Sequence, residues 1–320
     1  MRQVLTGFAI ALAAVNVLSA QSSAQVNVIP VQGQVYLITG TGANVTVQVG
    51  DKGALLVDTP PAALVPQVMA EIRKLSPNPI RYIINTSIDP AHVGGNAALS
   101  TPPGARGGGG APFGFVGLGR PSIIAHEAVL NRMSNPPAGQ PATPGGAIPT
   151  TTYYFPTMDL SSNGEAVILY HQPAAITDSD TIVMFRRSDV ISTGDIYTPG
   201  RYPAINLQQG GSVAGLIAGL NSVLALAVPE AFEEGGTKII PGHGRISEET
   251  DVAEFRDMIV IIRDRIQDSI KKGRTLDQIK AERPSRDYDA EYGASREDAD
   301  RFVETIHRSL TARPAAGGRS

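Results

Sequence analysis

Apolar and polar residues alternate in three short runs early in the chain, 34–39 (QVYLIT), 45–49 (VTVQV) and 54–58 (ALLVD), each bounded by a glycine-containing turn. Runs of this length, rich in β-branched residues, predict three strands in a meander. The period then changes. Across 62–75 the apolar positions Leu64, Val65, Val68, Met69, Ile72 and Leu75 recur at helical spacing, and Pro77 stops the pattern. A buried strand is expected at 80–84 (IRYII), so the opening order is β-β-β-α-β. The loop 85–96 (NTSIDPAHVGGN) hangs from the carboxyl end of that last strand, a usual place for a site in α/β arrangements.

The second half repeats the rhythm. Strands are expected at 166–170 (AVILY), 181–185 (TIVMF) and 190–192, the last running into Thr193-Gly194-Asp195. A helix follows at 212–226, then a strand at 238–240 that enters Pro241-Gly242-His243-Gly244. A further helix at 251–271 carries Phe255, Ile259, Ile262 and Ile266 on one side, and 276–280 and 296–310 close the chain as surface helices. The repeated order predicts two sheets packed face to face with helices outside.

Two segments break the periodicity, 101–121 (TPPGARGGGGAPFGFVGLGRP) and 134–152 (SNPPAGQPATPGGAIPTTT). Glycine- and proline-rich stretches like these read as solvated loops or as a rim over a cleft. The four consecutive glycines lack a following Gly-Lys-Ser/Thr, which argues against a phosphate cradle. Between them 123–126 is a short strand running into a helix at 127–133.

Composition narrows the function. A chain of 320 residues, 42% hydrophobic, is long enough for one large core. The formal net charge is -3 and the Lys and Arg residues are dispersed, which excludes a nucleic-acid footprint. Residues 1–24 carry Arg2, an apolar run and a small-residue stretch (Ser22-Ser23-Ala24), the pattern of a cleaved signal peptide. The apolar run is shorter than the roughly 20 residues that span a bilayer. The mature domain is therefore expected at 25–320, periplasmic or secreted, with no membrane attachment after cleavage. Cysteine is absent, so a metal or catalytic site must use histidine, carboxylates or water.

The motifs then become specific. A strand with NT-x5-HVGGN, a strand with TGD, a strand with PGHG and the closing ADRFVETIHRSL resemble, in order and spacing, the metallo-β-lactamase superfamily over nearly all of the mature chain. The resemblance implies an α+β fold, a four-layer αββα sandwich with a metal site along one edge. Most members are hydrolases holding one or two zinc ions. The family's loop H-x-H-x-D-H is replaced here by Ser87, Asp89, Ala91 and His92, and a further histidine ligand by Ile176. His92, Asp195 and His243 match ligand positions. By this resemblance the first metal site has lost its imidazoles, while the second keeps two imidazoles and a carboxylate, enough for one cation with an open position for water.

The expected centre is thus a single divalent metal on His92, Asp195 and His243, zinc foremost, with iron and manganese suited to the same set. Asp89 is the expected proton acceptor, and the expected reaction is water-dependent cleavage of an ester, amide or similar bond in a small-molecule substrate. Plainer roles stand beside these: His92 as the cap of a helix beginning near Val93, Asp195 as a turn residue, and His126 and His171 as structural histidines. Asp178 and Asp180 are read as a turn before a strand, with holding a neighbouring loop as the other role open to Asp178, and His307 is read as solvated. The competing reading is a metal-free protein that uses the cleft to bind a small molecule or a protein.

Overall fold

The computed structural model describes residues 25–100, 120–292 and 295–312. The expected leader and nearly all of the first Gly/Pro-rich segment lie outside the described residues.

Strands β1 (Asn27–Gln32), β2 (Val35–Thr39), β3 (Val45–Gly50) and β4 (Gly53–Val57) form an antiparallel meander. A 3-10 turn leads into helix α1 (Val65–Leu75) and then strand β5 (Ile80–Ile84). Short helices α2 (Pro90–Val93) and α3 (Asn96–Ser100) precede β6 (Ser122–His126), α4 (Glu127–Ser134) and β7 (Thr151–Tyr153). These seven strands make one sheet in chain order, parallel from β4 to β7. Strands β8 (Thr157–Ser162), β9 (Glu165–Gln172), β10 (Asp180–Phe185), β11 (Val190–Ser192) and β12 (Lys238–Ile240) make the second sheet, in which only β11 and β12 pair in parallel. The remaining helices are α5 (Val213–Leu226), α6 (Glu249–Lys271), α7 (Leu276–Glu282) and α8 (Arg296–Thr311).

Alternation along β4 shows how the layers arise. Leu55 and Val57 face inward, where they meet Leu169, Val183 and Phe185 of the other sheet. Ala54 and Leu56 face outward under Val68 and Ile72 of α1. A strand covered on both faces reads as an unbroken apolar run, as this one does. On the far side Ile182, Ile191 and Ile239 lie beneath α5, α6 and α8. The result is the four-layer αββα sandwich expected.

Strands β1, β7 and β8 were not foreseen. β1 is a largely exposed edge strand containing Pro30, and β8 (TMDLSS) is a polar edge strand, so neither has the apolar signature of a covered one. β7 is three residues at the end of the second Gly/Pro-rich segment. The expectation for α8 needs correction in one respect: it is no mere surface helix, because Ala299, Phe302, Val303 and Ile306 are buried in the core beneath it. Its His307 is half-buried.

Candidate metal centre

The strand ends converge on one edge. Asp58, directly after β4, bonds its backbone N–H to the carbonyl of Ile84 in β5, and its side chain accepts from the Thr86 N–H and hydroxyl, both at 2.7 Å. Asp89 is the N-cap of α2, its Oδ1 accepting the Ala91 N–H at 2.8 Å, with Pro90 at the first helical position. His92 therefore lies inside this short helix; it does not cap one that starts at Val93. Its carbonyl accepts from the Thr59 N–H and hydroxyl and from Asn85 Nδ2, and Asn85 and Thr59 both bond Asn96. That network fixes the backbone from which the imidazole projects.

The His92 ring is fully buried. Nδ1 donates to Asp58 Oδ2 at 2.7 Å, which leaves the lone pair of the neutral ring on Nε2. Nε2 sits 3.1 Å from Asp195 Oδ2 and makes no hydrogen bond of good geometry. Buried polar atoms are rarely left so.

Asp195 and His243 arrive from neighbouring parallel strands. Ser192 pairs with Ile240, and the ladder continues through the Thr193 N–H to the Ile240 carbonyl. Asp195 occupies a 3-10 turn, Gly194–Ile196, and its Oδ1 accepts from His243 Nδ1 at 2.8 Å. The approach is close: a Cβ on Gly242 would lie 2.5 Å from Asp195 Oδ1, and one on Gly194, at φ +52°, would lie 2.5 Å from Thr86 Oγ1. Only glycine fits at either position. The rings of His92 and His243 stand nearly perpendicular with centroids 5.8 Å apart.

Charge follows from this packing. Burial would depress the His92 pKa, but without an ion Asp58 and Asp195 outweigh it and hold the ring well above the usual imidazole value, so a cation at Nε2 would take the place of that proton. Burial would raise Asp195, but its contacts with His243 and His92 hold it well below the usual carboxylate range. Asp180, nearby and buried, is pushed up to about 7, chiefly by desolvation.

Among the described residues, His92, Asp195 and His243 form the one group of three potential ligands, with donor atoms all within 4.8 Å of one another. A tetrahedral ion with ligands at about 2.0–2.1 Å separates its donors by roughly 3.4 Å. Small side-chain adjustments close that gap, and the partnerless His92 Nε2 is the atom such an ion would satisfy. The set fits one cation. Asp89 is exposed and lies outside the group. The other family positions offer little: the buried Ser87 hydroxyl accepts the Asp89 N–H, and Ile176 packs in the core.

Two important residues escaped the sequence. Asp58 appeared only as the last residue of a strand; its φ of +65°, strained for an aspartate, has no sequence signature. Asn44 clamps the loop carrying His243: its N–H donates to the Gly242 carbonyl at 2.7 Å and its Nδ2 to those of Pro241 and Gly244, both at 2.9 Å. It comes from a glycine-rich turn with no motif. His126 and His171 stack at 3.5 Å, and Asp178 holds Arg132 of helix α4, rather than a loop, through two hydrogen bonds.

The model of the metallo-beta-lactamase superfamily matches residues 38–243. Among solved structures, a metallo-beta-lactamase from Pontibacter korlensis is similar at 12% identity and TM-score 0.55, covering 73% of this chain and 99% of that one. An inverting sec-alkylsulfatase from Pseudomonas sp. is similar at 16% identity and TM-score 0.62, covering 89% of this chain and 50% of that one, so this chain spans half the sulfatase's length. At such identities the likeness speaks for the fold alone. No curated protein matches the sequence. The family model covers more than half of the chain and ends at His243, and the chain belongs to the metallo-beta-lactamase superfamily.

Proposed function

We propose that the protein is an exported hydrolase of small molecules that works with a single divalent cation, zinc foremost, held by His92, Asp195 and His243. The observation that carries this is His92: a fully buried ring, fixed at Nδ1 by a carboxylate, with Nε2 turned toward Asp195 and lacking a hydrogen bond. A carboxylate behind a ligating histidine fixes its tautomer and orientation. When bound, the cation supplies a Lewis acid and lowers the pKa of a coordinated water from 15.7 to about 7. The chain's own residues orient and shield. Asp58 holds the His92 ring, the Asn85–Thr59–Asn96 network holds its backbone, and Asn44 holds the His243 loop. Asp89 takes the part of proton acceptor: it is exposed, three residues before His92, and its Oδ2 has no hydrogen bond among the described residues. Sulfatase and lactamase names among the similar structures also favour hydrolysis.

Elemental analysis of protein purified without chelator tests this. About one equivalent of metal is expected, lost in His92→Ala and His243→Ala. A metal-free preparation whose thermal stability does not respond to added zinc sinks the proposal. One observation favours a metal-free binding role instead: Ser87 and Ile176 stand where the family has histidines.

A further inference from the structure

A cavity of about 880 Å³ lies between the segment 200–208 and helix α8. The helix that forms one wall lies beyond the family match at 38–243. The other wall is tied to the candidate metal centre at one end and to the core at the other. Pro199 packs on Gly244, next to His243, and the Asn206 N–H bonds the carbonyl of Ile176.

Three arginines, Arg201, Arg301 and Arg308, and two carboxylates, Asp298 and Glu304, line the cavity. Both carboxylates are engaged. Glu304 pairs with Lys280 at 2.6 Å and with Arg308 at 2.5 Å, and Asp298 accepts from the Ser295 hydroxyl at 2.8 Å and lies 3.4 Å from Arg301. Arg201 has neither ion pair nor hydrogen bond among the described residues, and it is exposed. The uncompensated charge of the cavity is thus positive and sits on one residue. Beside it the wall is apolar: the Tyr202 ring is stacked on Phe302 at 4.6 Å and on Tyr292 at 5.6 Å, and Leu207 is half-buried further along. A rigid aromatic wall next to a free guanidinium suits a molecule with an apolar body and one anionic head.

We propose that this cavity binds an anionic amphiphile, with Arg201 taking the anionic head and Tyr202 and Leu207 the apolar body. The site exists whether or not the neighbouring centre holds a metal. Calorimetric titration of the full chain with decanoate, decanol and decyltrimethylammonium, each below its aggregation concentration, tests it. Decanoate is expected to bind once per chain, decanol more weakly, and the ammonium not at all. Arg201→Ala should raise the decanoate Kd roughly tenfold or more, the usual effect of losing one charge-assisted hydrogen bond. Thr305→Trp, which narrows the cavity beside Tyr202, should weaken binding. Decanoate binding should survive chelation, which separates this proposal from the metal-dependent one. Equal affinity for the ammonium, an unchanged Kd in both variants, or binding that vanishes on chelation would overturn it.

Discussion

Asp58 and His92 are joined by a 2.7 Å hydrogen bond between side chains that solvent does not reach, and the same carboxylate holds the strand–loop junction at Thr86. One aspartate thus sets both the tautomer of the imidazole and the path of the loop that carries it.

Asp58→Asn keeps the shape but exchanges a charged acceptor for an amide. Partners behind metal-ligating histidines are typically worth 10–100-fold in affinity, so zinc affinity by competition with a chromophoric chelator should fall by about that factor. Circular dichroism should show the fold retained. Unchanged affinity would mean that Asp58 serves the loop alone.

Asn44→Ala leaves the carbonyls of Pro241 and Gly244 without their side-chain donor. Gly244 is exposed, but Pro241 is buried, and a stranded buried polar group costs about 1–3 kcal/mol, so the urea midpoint should drop accordingly. Metal content should fall with it, because the loop carrying His243 loses its clamp.

Gly242→Ala would force a methyl group to within 2.5 Å of Asp195 Oδ1. Overpacking typically costs about 1–3 kcal/mol, and here the backbone that yields is the one holding a candidate ligand. The expected outcome is a larger loss in metal affinity than in global stability. A variant that binds zinc like the parent would show that the approach is not needed.

The His126 ring predicts a pH dependence of its own. Burial and the stacked His171, opposed by Asp178, lower its pKa from 6.5 to about 4. The folded pKa lies below the unfolded one, so between these values the unfolded chain binds the proton better. Stability should be full above pH 6.5 and decline as the pH falls toward 4. Chemical denaturation across that range should show a steeper decline for the parent than for His126→Asn, which has no imidazole but can still cap α4. Parallel curves would refute the assignment.

What the sequence disclosed follows from where the signal lay. The helices and covered strands announced themselves, because Val68 and Ile72, or Leu55 and Val57, must face a core at fixed spacing. His92, Asp195 and His243 were legible because each follows a strand in a motif, and the structure brings all three together. Asp58 and Asn44 were not, since their importance comes from atoms 34 and about 200 residues away along the chain. Edge strands β1 and β8 were missed because a strand open to water keeps polar residues.

The closing helix has a practical consequence. Phe302, Val303 and Ile306 finish the packing begun by α5 and α6, yet they sit more than fifty residues beyond the last position the family model recognises. Anyone trimming a gene to the recognisable stretch would remove the lid of an oily trench, and such a fragment would tend to clump in solution. The polypeptide that must be expressed is longer than the one that is easy to identify.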